Sequence, residues 1–203
     1  MIERGENGCL TVSGAFIIME PVYTIGHSNR PIEEFIDLLR EHGIERVLDI
    51  RTVPKSRHNP QFGQDQLPGS LAAAGIGYEY IRALGGLRKA RKDTPNGAWR
   101  NASFRGYADH MQTEEFREHV EQVARMAAST RCALMCAEAV PWRCHRSMVA
   151  DALAVRGVPA EHIIGKGKTR PHTLTPFAHV EGTRITYPPA PGDEDENEAP
   201  APA

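Results

Sequence analysis

The sequence predicts a single α/β domain of Rossmann-like build, a mostly parallel sheet of about five strands with helices on both faces. Three observations lead there. Short apolar runs alternate with amphipathic stretches at helical spacing, which is the signature of strand–helix–strand units. The apolar runs read as strands buried on both sides, as parallel strands are. A chain of 203 residues with 40% hydrophobic and 25% charged residues can bury one core and favours one domain.

The elements follow in order. Residues 22–25 form a first buried strand, and Pro31 opens a helix in which Ile32, Phe35, Ile36 and Leu39 share a face before Gly43 stops it. A second strand lies around residues 47–50, QDQLPGSLAAAG gives a short broken helix, and residues 78–81 give a third strand. Thr113 caps a helix with acids in its first turn and Phe116, Val120 and Val123 on one face. CALMC is a fourth strand, SMVADALAVRG a helix ended by glycine, HII at 162–164 a fifth strand and RITY at 184–187 a weak sixth. No internal repeat interrupts the pattern. The domain therefore spans 19–187. Residues 1–18 read as a flexible arm, or as a mis-assigned start with translation beginning at Met19, and 188–203 as a disordered acidic tail rich in proline and alanine.

Composition excludes several classes. There is no apolar run of about 18 residues, hence no spanning helix, and the N-terminus has neither the basic start nor the apolar stretch of a secretory signal, so a cytoplasmic protein is expected. Four cysteines, Cys9, Cys132, Cys136 and Cys144, are too few for a disulfide scaffold. The formal net charge of -2 includes five acids in the tail, which leaves the remainder mildly basic, short of a dedicated nucleic-acid binder.

Ligands of open parallel sheets bind at the carboxyl ends of the strands. Three polar clusters follow strands here: residues 27–30 (HSNR), 49–57 (DIRTVPKSR) and 136–146 (CAEAVPWRCHR). They are expected to share one crevice. Arg30, Arg51, Arg57, Arg143 and Arg146 suit bidentate contacts with phosphate or carboxylate, which predicts a small anionic ligand. A strand-end Cys136 with Arg143 seven positions on resembles thiolate phosphatases and sulfurtransferases, but the spacing exceeds theirs by one residue, and Pro141 and Trp142 replace a flexible cradle. Cys136, Cys144 and His145 could instead bind a metal, although their spacing is not that of paired zinc motifs. Glu138 is a third candidate, as general acid or base, and Asp49 competes for that role, with orienting Arg51 as its structural alternative. The stretch LGGLRKARKDTPNGAWRNASFRGYADHM interleaves basic residues with Trp99, Phe104 and Tyr107, which fits either single-stranded nucleic acid or a lid over the crevice.

The ordered motifs TIGHSNR, LDIRTVPKSR, LGG, WRNASFRGYADHM and LMCAEAVPWRCHRS resemble the family called domain of unknown function 488, over roughly residues 20–187. The resemblance implies a soluble, bacterial-type α/β domain and no particular reaction. It marks His27, Ser28, Asp49, Arg51, Pro54, Ser56, Cys136, Glu138, Cys144, His145 and Arg146 as matches to the family's motifs. The leading expectation is an enzyme, a hydrolase or transferase, acting on a phosphorylated or nucleotide-like anion. In it Cys136, Glu138, Asp49 and His27 serve catalysis, and Ser28, Arg30, Arg51, Ser56, Arg143, His145 and Arg146 bind substrate. The rival is a binding module for nucleic acid or a nucleotide. No membrane partner is expected, and the sequence names neither a cofactor nor an oligomeric state.

Overall fold

A six-stranded sheet carries the chain. The computed structural model describes residues 11–12, 15–16, 20–55 and 57–190; Ser56, most of the expected 1–18 arm and the tail from residue 191 lie outside them. Within the first segment Thr11–Val12 pairs antiparallel with Ala15–Phe16. The strands of the sheet are β1 (Val22–Gly26), β2 (Arg46–Asp49), β3 (Gly77–Tyr80), β4 (Cys132–Cys136), β5 (Ala160–Gly165) and β6 (Lys168–Pro171). Their order across the sheet is β3-β2-β4-β1-β5-β6. The first five are parallel and β6 runs antiparallel to β5. The helices are α1 (Ile32–Glu41), α2 (Leu67–Ala73), α3 (Ala102–His110), α4 (Glu114–Ala127) and α5 (Arg146–Ala154).

Alternation along the strands explains the two layers. In β2, Val47 packs with Phe35, Leu39, Leu67 and Leu71 of α1 and α2, whereas Leu48 packs on the opposite face with Phe116 and Val120 of α4 and Met148 and Leu153 of α5. In β4, Ala133 and Met135 join the first cluster, and Cys132 and Leu134 the second. Successive side chains of a strand point to opposite faces, and helices cover both, so β4 is apolar throughout and β2 is apolar at Val47 and Leu48 between Arg46 and Asp49. The Thr113 cap forms as expected, its hydroxyl accepting from the Phe116 N–H at 3.2 Å. Among the described residues no helix is long and apolar enough to cross a membrane.

Two readings need correction. The sixth strand of the sheet is β6, because Gly167, at a φ of +62°, turns the chain straight back from β5. The segment 184–187, read as that strand, contributes β8 (Arg184–Thr186), which pairs with β7 (His179–Glu181) in a separate hairpin closed by Gly182 at a φ of +62°. The stretch read as one long lid ends in a helix, α3, whose Tyr107, Asp109 and His110 are buried. Its irregular part is tied down, since the Asp109 carboxylate accepts from the Arg91 N–H, Thr94 Oγ1 and Asn96 Nδ2.

The topology also opens a crevice. β2 leads outward to β3 through α2, while β4 leads the other way, past β1, to β5 through α5. Loops that diverge from neighbouring strands leave a cleft at their carboxyl ends.

Candidate functional site

A cavity of about 570 Å³ lies at that edge. Ser28 after β1, Arg51, Thr52 and Val53 after β2, and Cys136, Glu138, Arg143, Cys144 and His145 after β4 line it, together with Gly86, Leu87, Ser103, Phe104 and Tyr107. All three polar clusters thus reach one crevice, though not with every member. Ser56 lies outside the described residues.

Arg51 is the braced cation. Its Nε donates to Asp49 Oδ1 at 2.9 Å and its Nη2 to Oδ2 at 2.5 Å, and its own N–H donates to Oδ1 at 3.1 Å. Asp49 is fully buried and also accepts from the Tyr78 hydroxyl at 2.8 Å. Burial opposes the guanidinium charge, but the hydrogen bonds and charge of Asp49 more than offset it, so the Arg51 pKa is raised. Burial beside the same carboxylate pushes the Tyr78 phenol up. His27 completes the brace. Its Nδ1–H donates to the Ser28 carbonyl at 2.7 Å, which leaves Nε2 to accept from Arg51 Nη1 at 3.3 Å, and its ring stacks on Phe62 with centroids 4.2 Å apart. Burial lowers the His27 pKa. Ser28, at a φ of +53°, occupies the left-handed region, which turns the chain sharply after β1.

Cys136, at the end of β4, and Cys144 and His145, just before α5, form the second group. His145 Nε2–H donates to the Ile50 carbonyl at 2.9 Å, so Nδ1 is the bare nitrogen, 3.7 Å from Cys144 Sγ and 3.9 Å from Cys136 Sγ. The Cys144 thiol and, after burial is overcome, His145 and the Glu138 N–H hold the Cys136 thiol well below its ordinary range. Its partner Cys144 is correspondingly pushed up. Cys132, in the strand, faces the core, and burial raises its pKa to about 11. Two glycines make the packing possible. A Cβ on Gly86 would fall 2.4 Å from His145 Nδ1, and one on Gly26 would fall within the Glu138 carbonyl group.

Other predicted residues sit elsewhere. Arg146 is buried beneath the loop, donating to the Glu138 carbonyl and, at 2.8 Å, to that of Ala139, and it does not line the crevice. Arg30 donates to the Gly26 carbonyl and pairs with Glu34 at 3.2 Å. Arg143 and Glu138 are exposed at the mouth. Thr52, Gly86, Ser103 and Tyr78 were not singled out as site residues. Gly86 carried a signal as part of LGG, Thr52 as part of LDIRTVPKSR and Ser103 as part of WRNASFRGYADHM, whereas Tyr78 depends on sheet register.

The fold and the crevice define the class, an open α/β domain with a cleft where its strand connections diverge. The chain belongs to the family described as Domain of unknown function DUF488, whose model matches residues 31–153. That span holds Asp49, Arg51 and the Cys136 loop, while His27 and Ser28 precede it. Neither the curated proteins nor the solved structures returned a match.

Proposed function

We propose that the protein is an enzyme, a hydrolase or transferase, acting on a phosphorylated or nucleotide-like anion bound in the crevice. The observation that carries the reading is Arg51, held charged by Asp49, positioned by Asp49 and His27, and lining the same cleft as Cys136, Cys144 and His145. A guanidinium braced from behind loses little freedom on meeting a ligand, which favours a defined anion pose. Arg143 at the mouth adds a second cation, and α3 and α5 begin at the crevice, so their positive ends face an anion. Val53, Leu87 and Phe104 provide apolar wall for the rest of the substrate. Glu138, exposed at the mouth with Oε1 accepting from the Val140 N–H at 3.3 Å, is the carboxylate placed to move a proton, because Asp49 is committed to Arg51 and Tyr78.

The nucleic-acid reading is left with fewer stacking faces, Phe104 at the crevice among them. Tyr107 is fully buried, and Trp99 packs among Phe104, Phe177 and Tyr187. The second reading is that Cys136 attacks substrate directly, favoured by the donors that converge on its sulfur; a substrate-derived mass adduct on Cys136 selects it. Free thiols at Cys132, Cys136 and Cys144 fit a reducing, cytoplasmic setting.

Calorimetric titration with inorganic phosphate and a nucleoside monophosphate tests the reading. Binding at moderate salt that weakens by about 10- to 100-fold in Arg51→Ala, the worth of a charged hydrogen bond, supports it. Absent binding, or equal affinity in the variant, contradicts it. Steep salt-dependent affinity for RNA or DNA selects the binding module instead.

A further inference from the structure

Cys136, Cys144 and His145 converge on one point. Their two Sγ atoms and the histidine ligand nitrogen all lie within 4.8 Å of one another, with Nδ1 at 3.7 and 3.9 Å from the sulfurs. Tetrahedral zinc, with sulfur at about 2.3 Å and imidazole nitrogen at about 2.0 Å, sets such donors about 3.5 to 3.8 Å apart. We infer that these three residues form a metal site for Zn²⁺, bordering the crevice. The inference rests on the crevice being the reaction centre only for what the metal does there, not for its binding.

Two further observations support the site. His145 donates its remote ring N–H to the Ile50 carbonyl at 2.9 Å, the anchoring that fixes a metal-ligating imidazole in the tautomer that leaves its other nitrogen bare. Cys136 and Cys144 are both buried, with 8% and 4% exposure, yet both line the crevice, which gives a metal a protected seat that stays open to the cleft. Two thiolates and an imidazole are a borderline-soft set that suits zinc over magnesium or calcium.

The count of ligands indicates the use. Among the described residues the cluster has three donors, and all three line the crevice. Closed structural zinc sites use four protein ligands, whereas three leave a position for water or substrate. Zinc at such a site supplies a Lewis acid in the cleft that Arg51 also lines. The sequence spacing obscured this, because the seven residues between the cysteines are folded back by the Pro141 turn and by Arg146 holding the loop carbonyls.

The test uses the full chain, purified reduced and without chelator. Elemental analysis is expected to find about one zinc per chain, and metal-stripped protein titrated with Co²⁺ should show thiolate-to-cobalt charge-transfer absorption. Cys136→Ser and Cys144→Ser should each lose about half of that band or all of it, and Cys132→Ser, whose thiol lies in the core, should keep it. Reduced wild-type protein that carries no zinc and gives no cobalt band overturns the inference. Phosphate titration of stripped wild-type and Arg51→Ala protein, made on the same samples, decides the anion reading separately.

Discussion

At the scale of the residue, the site depends on which arginine has a counter-charge and which has a free face. Arg51 and Asp49 are both almost wholly buried and form a two-pronged pair. Removing one partner of such a pair strands the other charge, which typically costs about 3–5 kcal/mol. Asp49→Ala is therefore expected to lower unfolding stability by roughly that amount and to weaken anion binding as well, which urea denaturation and calorimetry would show. A loss below about 0.5 kcal/mol would mean that Arg51 does not need its brace. Arg146 is a different case. Its guanidinium secures the loop from below, so Arg146→Ala is expected to destabilise the fold while anion affinity, measured on whatever remains folded, falls less than in Arg51→Ala. The reverse ranking would return Arg146 to the crevice wall.

At the scale of the element, the loop after β4 is held by close backbone approach. β1 ends at Gly26, where a Cβ would fall 1.9 Å from the Glu138 carbonyl oxygen. Backbone cannot yield as a flexible side chain can. Gly26→Ala is accordingly expected to cost more than about 2 kcal/mol in chemical denaturation; a change within about 0.5 kcal/mol would show that the loop is free to shift. Much of this level was legible beforehand. The apolar runs and the helical spacing of Phe35 with Leu39, and of Phe116 with Val120 and Val123, identified the strands, the helices and the edge on which the polar clusters meet. α3 was not legible, because ASFRGYADH has Gly106 in its middle and a weak apolar stripe, and tertiary packing of Tyr107 decides it. The pairing of β6 and β8 was hidden for a similar reason, since short polar strands take their partners from turns rather than from pattern. Side-chain direction was the other gap. Nothing in CHRS tells whether His145 or Arg146 faces the cleft; the start of α5 decides, turning His145 toward the cysteines and Arg146 under the loop.

At the scale of the whole molecule, a buried polar chain ties the far side of the sheet together. Thr24 of β1 lies 2.7 Å from His162 Nδ1 of β5, His162 Nε2 lies 3.1 Å from His172 Nδ1, and His172 Nε2 lies 2.8 Å from Asp151 Oδ1 of α5. Asp151 also accepts from Thr175 and from the Tyr187 hydroxyl, fixing the C-terminal segment. Burial, with help from neighbouring cations, lowers the His162 pKa to about 4, against an ordinary value of 6.5. The unfolded chain takes up the proton first as pH falls. Stability is therefore unaffected by this group above about pH 6.5 and declines through the window down to about pH 4, by about 2 kcal/mol between pH 7 and pH 5. Urea midpoints across that range should fall for the wild type, and the His162→Asn difference should shrink toward acid; parallel curves would remove His162 from the account. The network lies away from the crevice, so acid sensitivity of the fold and anion binding should be separable.

The most direct test of the whole account is a crystal structure of the full chain grown or soaked with a nucleoside monophosphate. The predicted result is a phosphate group in the cleft between the β2 and β4 loops, with an oxygen about 3 Å from the Arg51 guanidinium. An anion bound elsewhere, or a crevice free of ligand at a concentration that saturates binding in solution, would contradict the claim that these strand ends form one site.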